Sequence, residues 1–387
     1  MRHYERDHRL RSEEETMIKR TVLTAVLCLG ICNSAAFAQA PPICNDSMVM
    51  ATKGKWKAPS NSLRPPRGFA TNEQYREVTN RIDAIHPLLL EAYPDLPGME
   101  ARWIRDGPAP SRYSAEIIKY EYSYFATLYN YYCELDARPG SPAALAGAPF
   151  KPLLNGETGT YFIVKFNGGF LSEDINPKFT VNGRRVFLLE RPTETWKGCD
   201  VYRTPAEVGK PVHAKVILTR KGMLPYRPIT RKQYLEYMIE TVHRQFDDTI
   251  AAAKKTLQMP EDPLGIKDGA RQVIADATEA RESISARFQE ELKENEADKT
   301  LNSPAIVDGL EKIRFFESPN VFTTEEKGGQ ALVTVNPDYF RKDLPPYVPQ
   351  VIVVHWIWEE HSAASTYYGK MVEANLPIEK FQAMIDR

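Results

Sequence analysis

Between residues 71 and 89 apolar side chains recur every three or four positions, at Tyr75, Val78, Ile82, Ile85 and Leu89. That spacing lines one face of an α-helix. Thr71 with Gln74 three residues later makes a capping box that starts it, and Pro87 bends or ends it. The segment 93–111 is rich in Pro and Gly and reads as loop. Next comes "YEYSYFATLYNYYC" at 120–133, which holds six tyrosines and one phenylalanine. Ile118, Tyr122, Phe125, Tyr129 and Tyr132 step by four and three, and Ile117, Tyr120, Tyr124, Leu128 and Tyr131 form a second seam beside them. The spacing predicts a helix that is apolar over a wide arc and therefore sandwiched between two layers. Its tyrosine hydroxyls would find partners at the layer edge. An exposed aromatic binding face is the alternative reading.

After residue 157 the period drops to two. "TYFIVKF" (160–166) reads as a strand and "KFTVNGRRVFLLE" (178–190) as a hairpin turning at Asn182-Gly183. "VHAKVILTR" (212–220) alternates Val212, Ala214, Val216 and Leu218 with polar neighbours, as a half-buried strand does. A second capping box, Thr230 to Gln233, opens a helix to about residue 256, with Ile229 and Tyr234 as a hydrophobic staple. Its seam is Leu235, Met238, Val242, Phe246 and Ile250. A further helix over 269–298 shows Val273, Ala277, Ala280, Ile284, Phe288 and Leu292 on one side. The two pair as a long antiparallel hairpin packed on the sheet. Strands follow at 320–324, 330–336 and 350–358, with Gly328-Gly329 in the turn between the first two. Short helices at 362–374 and 377–386 end the pattern. The class is α+β: a mostly antiparallel sheet with an N-terminal aromatic-rich helical layer and an inserted long antiparallel helical hairpin, 230–298. The domain reading is an extended arm at 39–70, a helical layer at 71–137, a Pro/Gly/Ala-rich linker at 138–157 and an α+β domain at 158–387.

The N-terminal region changes where this fold is expected to work. Lys19 and Arg20 precede an apolar run from Val22 to Ile31, and Ala36-Phe37-Ala38 supplies small residues for cleavage after Ala38. Residues 1–38 thus read as a secretory signal peptide, with 1–16 as an upstream extension and Met17 as the start of the leader proper. Export to the periplasm or beyond follows. Two of the five cysteines, Cys28 and Cys32, leave with the leader. Cys44, Cys133 and Cys199 remain, and an oxidising compartment allows them one disulfide and one leftover thiol. Cys44 could pair with either of the others, or all three could stay as thiols. The 50 Lys plus Arg balance 51 Asp plus Glu, so nothing in the charge points to nucleic acid. After the leader no run reaches the roughly 18 apolar residues of a membrane helix.

Motifs for phosphate loops, zinc helices and nucleophile elbows are absent, and neither cofactor nor metal is implied. One stretch carries candidate chemistry: "HWIWEEH", 355–361. On a strand, Trp356 and Trp358 point to one face and His355 to the other. Glu359, Glu360 and His361 then fall at the strand's end, where scaffolds display functional groups. Two indoles beside two carboxylates suit a sugar ring and general acid/base work on a glycosidic bond. The plainer reading makes the tryptophans core and Glu359-Glu360 the polar start of the next helix. His243, between Glu240 and Asp247 on the long helix, and His213 on a strand's polar face have ordinary structural explanations. The sequence therefore favours a non-catalytic envelope protein that binds or scaffolds a protein or polysaccharide partner. The alternative is a hydrolase of an envelope or extracellular polymer, acting through Glu359, Glu360 and His361 with Trp356 and Trp358 holding the ligand.

Overall fold

The computed structural model describes residues 44–59, 70–113, 116–133, 152–154, 159–171, 173–174, 180–181, 183–205, 207–260, 265–308 and 321–387. The expected leader, most of the 138–157 linker and Asn182 lie outside them. Strands β1 (Lys55–Trp56), β2 (Met99–Pro110), β3 (Tyr120–Tyr132), β4 (Leu153–Leu154) and β5 (Thr160–Phe166) open the chain's β-structure. Later come β6 (Glu173–Asp174), β7 (Thr180–Val181), β8 (Arg184–Leu188), β9 (Glu194–Trp196), β10 (Cys199–Arg203), β11 (Val212–Leu218) and β12 (Tyr226–Pro228). The last are β13 (Ile306–Val307), β14 (Gln330–Val335) and β15 (Ile352–Trp358). One sheet of nine strands runs β1-β2-β3-β5-β15-β11-β10-β9, with β4 attached to β3. A second of six runs β12-β14-β8-β6, with β13 on β14 and β7 on β8. Apart from the short parallel β1–β2 contact, the pairings are antiparallel.

Side-chain alternation sorts these strands into four layers. Trp103, Tyr124, Phe162, Val164, Val216, Val354 and Trp356 share one face of the large sheet, and helices bury it. Those helices are α1 (Asp46–Ala51), α2 (Asn72–Asp83) and α3 (Ile85–Ala92) from the N-terminal side. From the C-terminal side come α6 (Ala363–Asn375) and α7 (Ile378–Gln382). The opposite face of the large sheet supplies Val351, Val353 and Ile217, which pack on Phe187, Val333 and Val335 of the second sheet. The second sheet's outer residues Val186, Leu188 and Leu332 meet the hairpin, α4 (Arg231–Leu257) and α5 (Ile266–Ala297). The α+β class and the inserted hairpin therefore hold.

Both capping boxes form: Thr71 and Gln74 exchange hydrogen bonds at 3.0 and 3.2 Å, and Thr230 and Gln233 do so at 2.9 and 3.2 Å. The first helix breaks at Ala84 rather than at Pro87. Pro87 sits in the first turn of α3, the one place where its missing N–H costs nothing. The arm contains α1, capped by Asn45, and β1, so it is not simply extended.

The aromatic run corrects the sequence reading most. Residues 120–132 form β3, a strand 13 residues long, instead of a helix. Its neighbour β2 occupies most of the segment read as a loop, 99–110. Pro108 and Pro110 are tolerated there because β1 covers only Glu100 and Ala101, leaving the rest of β2 as a sheet edge. A register shift between Asp106 and Ala109 absorbs the irregularity. Tyrosines 120, 122 and 124 are buried, and each hydroxyl has a partner. Tyr120 donates to Gln74 Oε1 at 2.8 Å and Tyr122 to the Tyr347 carbonyl at 2.6 Å, while Tyr124 shares a 3.1 Å bond with His86 Nδ1. Burial pushes the Tyr122 and Tyr124 phenols far above their ordinary pKa. Residues 320–324, read as a strand, contribute from the described part only a bridge from Phe322 to Val307.

Cys44 pairs with Cys133, and Cys199 is a half-buried free thiol. The bond closes a loop of 89 residues between the helix α1 cap and the end of β3. Chain-entropy arguments give such a closure about 2–5 kcal/mol. The Cys44→Ser/Cys133→Ser variant is expected to lose that amount in non-reducing urea denaturation, and reductant should bring the wild type to the same midpoint. Phe288 on α5 is buried against α4 and the second sheet. Phe288→Ala is expected to cost about 3–5 kcal/mol by the same measurement.

Candidate functional site

The stretch 355–361 divides between the two faces of β15 and the turn after it. Trp356 is 0% exposed and Trp358 6%, both inside the core under α6. Gly369 of α6 lies so close to Trp358 that an added Cβ would stand 2.8 Å from its ring. Both indoles are covered, so neither offers a free face to a sugar. Glu359 ends the strand: its backbone N–H donates to Ser365 Oγ at 2.8 Å, and its carboxylate lies against Gly159. Its Oε2 is 3.3 Å from Nε2 of the exposed His361. Glu360 is exposed, and its carbonyl accepts from Thr366 Oγ1 at 3.1 Å. Ser362 caps α6, so these residues lead into a helix, while Glu359 and His361 stand together as a solvent-facing pair.

Trp356 also lines a small pocket with Glu194, Trp196, Val201, Arg203 and Glu373. Arg203 is engaged there: it donates to Glu194 at 3.0 Å and Glu373 at 2.6 Å and lies 5.3 Å from the Trp358 ring centroid. The pocket's roughly 80 Å³ is far below the ~300 Å³ of ordinary small-molecule sites. Its cation and its acids already satisfy one another.

The other face of the large sheet brings together groups that no local motif links. Pairing registers set Phe125, Ile163, His355, Lys215 and Tyr202 in one row across β3, β5, β15, β11 and β10. The next row toward the second sheet carries Asp106, Ser123, Lys165, Val353 and Ile217. The row on the far side carries Thr127, Tyr161, Ile357 and His213. The second sheet covers the Val353–Ile217 end, and beyond its lip Lys165, His355 and His213 are half-buried. The lip is pinned at two points. Glu190 pairs with Lys215, and the Tyr226 and Tyr202 side chains are hydrogen-bonded to one another.

The His213 and His355 rings are 5.5 Å apart. Lys165, His213 and His355 make no side-chain hydrogen bond or ion pair among the described residues. Burial, with Lys165, His213 and Lys215 nearby, holds His355 down at about 3. Burial lowers His213 as well. For Lys165 burial is the largest cause of a lowered pKa and Arg112 adds to it, against the opposing pull of Glu121. The cluster therefore sets Lys165, Lys215 and two imidazoles whose charged forms burial disfavours over an apolar floor. No group of three or more His, Cys, Asp or Glu among the described residues is arranged for a metal ion.

Sequence reading placed His213 and His355 on their strands but missed this assembly. The signal was available in "TYFIVKF", which sets a lysine on a strand otherwise bound for a core. His243 lies exposed on α4, away from these groups. No protein-family model matches the chain, and no curated protein or solved structure matches it.

His355 gives the molecule an acid sensitivity with a defined sign. Its folded pKa lies below the unfolded value, so between about pH 6.5 and pH 3 the unfolded chain holds a proton that the folded chain refuses. Stability falls as pH drops through that window. His355→Gln is expected to lessen the loss between pH 7 and 4.5 by about 2 kcal/mol, measured by urea denaturation at both values.

Proposed function

We propose that the protein is exported and acts as a non-catalytic binding or scaffolding component of the cell envelope, gripping a protein partner with the outer half of its helical hairpin. The observation that carries this reading is where the hairpin's packing stops. Tyr234, Leu235, Met238 and Val242 of α4 and Phe288 of α5 join the core against the second sheet. Farther out the buried positions reduce to Ile250, Ala253, Ala270 and Ala277, the seam between the two helices. Arg281 and Asp247 tie that seam at 2.5 Å. At 1.5 Å per residue the 11 residues of α4 after Phe246 reach roughly 16 Å beyond the core cluster. Along this reach Val273 is 43% exposed and Met259 51%, although sequence spacing had set Val273 in the seam.

A paired arm of this kind offers a preformed surface at little entropic cost to a helical or groove-bearing partner. Export is supported by the Cys44–Cys133 bond, which persists in an oxidising compartment, and by the leader pattern at 17–40. The hydrolase alternative draws on one observation, the Glu359–His361 pair at the end of β15. Carboxylate chemistry on a glycosidic bond needs a second acid facing the first across a substrate cleft. The pair sits on a helix-leading turn instead.

Photo-crosslinking amino acids at Val273 and Met259, with Val208 on the β10–β11 connection as control, test the proposal in the native cells. Discrete, protease-sensitive adducts in the envelope fraction are expected from the first two and not from the third. Adducts equal at all three positions, adducts to polysaccharide only, or none would overturn it. Glu359→Gln and Glu360→Gln should leave the adducts unchanged.

A further inference from the structure

The cluster beyond the second sheet's lip has no place in a reading based on the hairpin arm. Three half-buried polar side chains, Lys165, His213 and His355, stand together without hydrogen-bond partners among the described residues. Half-buried groups left unpaired are only partly solvated. Surface solvation explains one such group more readily than three on adjoining strands.

We propose that this cluster is a binding site for a small organic oxyanion, a carboxylate or phosphate group on an apolar body, with the anion seated at Lys165 beside Lys215 and an imidazole N–H as further donor. The acids nearby are already engaged. Glu190 holds Lys215 from the second sheet, and Glu121 accepts from Ser111 Oγ and the Arg112 N–H, both at 2.8 Å. Asp106 accepts from Ser123 Oγ at 3.1 Å. Lys165 thus makes no ion pair or side-chain hydrogen bond among the described residues, and its stem lies over Gly169. At Gly169 the backbone has φ +79°, which disfavours a side chain, and an added Cβ would stand 2.8 Å from Lys165 Cδ.

The floor of the site is apolar, with Ile163 and Ile357 buried on the same strands, β5 and β15, that carry Lys165 and His355. A partly dry floor strengthens the attraction between an ammonium and an oxyanion. Phe125 and Tyr161, with ring centroids 5.5 Å apart, continue the same rows away from Lys215. They offer the ligand's body an aromatic surface. The same two ammonium groups repel metal ions, which separates this site from a histidine-pair cation site.

The test uses the mature, disulfide-bonded chain and follows the imidazole C–H resonances of His213 and His355, assigned with His213→Gln and His355→Gln. Benzoate and inorganic phosphate are the probes, with sodium chloride at matched ionic strength as control. Saturable shifts at millimolar benzoate or phosphate are expected, and chloride should give none. Lys165→Met, which keeps the stem over Gly169, should weaken binding at least fivefold; Lys165→Gln is the second variant, and near-UV circular dichroism checks that both fold. Tighter binding of benzoate assigns the site to organic acids, and tighter binding of phosphate to phosphate esters. Shifts that merely follow chloride, Lys165 variants that titrate like the wild type, or zinc moving both resonances while the anions do nothing would each overturn the proposal. None of these readouts involves the hairpin arm, so the outcome is independent of the crosslinking result.

Discussion

Strand β15 is hydrogen-bonded along both edges, to β5 and to β11, and its alternate side chains serve different layers. Ile352, Val354, Trp356 and Trp358 enter the helix-covered core, whereas Val353, His355 and Ile357 face the side partly roofed by the second sheet. With a period of two there is no freedom in this division: a one-residue slip would carry both indoles out of the core and an imidazole into it. The two-faced demand extends to the neighbouring strands. One face of β5 and β3 supplies Phe162, Val164 and Tyr124, and the other Lys165, Ser123 and Phe125. Burial and candidate chemistry are thus opposite sides of the same few residues.

Much of this was legible wherever one physical signal dominated. The capping boxes at Thr71 and Thr230 formed as read, because reciprocal side-chain bonds to orphan N–H groups are local chemistry. The hairpin helices and the strands around 160–166, 212–218 and 352–358 followed from clean periods. The run 120–132 failed because nine of its thirteen positions are aromatic or apolar, spread so that no single period stands out. Tyr120, Tyr122 and Tyr124 fit a period of two as well as the seams fit steps of three and four. With both templates satisfied, the strand preference of Tyr and Phe was the deciding evidence, and the sheet needed both faces of that strand covered. In β2 the Pro and Gly content suggested a loop, but edge position made it tolerable, and edge position is a tertiary fact.

The site was less legible than the fold. "HWIWEEH" drew attention because its residues are adjacent in sequence, yet the structure sends its indoles into the core and its acids toward a helix N-terminus. Lys165, His213, Lys215 and His355 come from three strands separated by up to 190 residues, and only pairing register gathers them. A lone lysine on an apolar strand is the kind of local misfit that survives where something other than packing places it.

Because β15 follows both β5 and β11 in sequence yet lies between them, the largest sheet is assembled out of chain order. A nascent chain that has grown only to residue 351 holds two half-sheets, each with a bare edge where the joining strand belongs. Bare edges recruit other chains. A chain stopped at that point is therefore a species prone to sticking, and the large sheet closes only once β15 has been made.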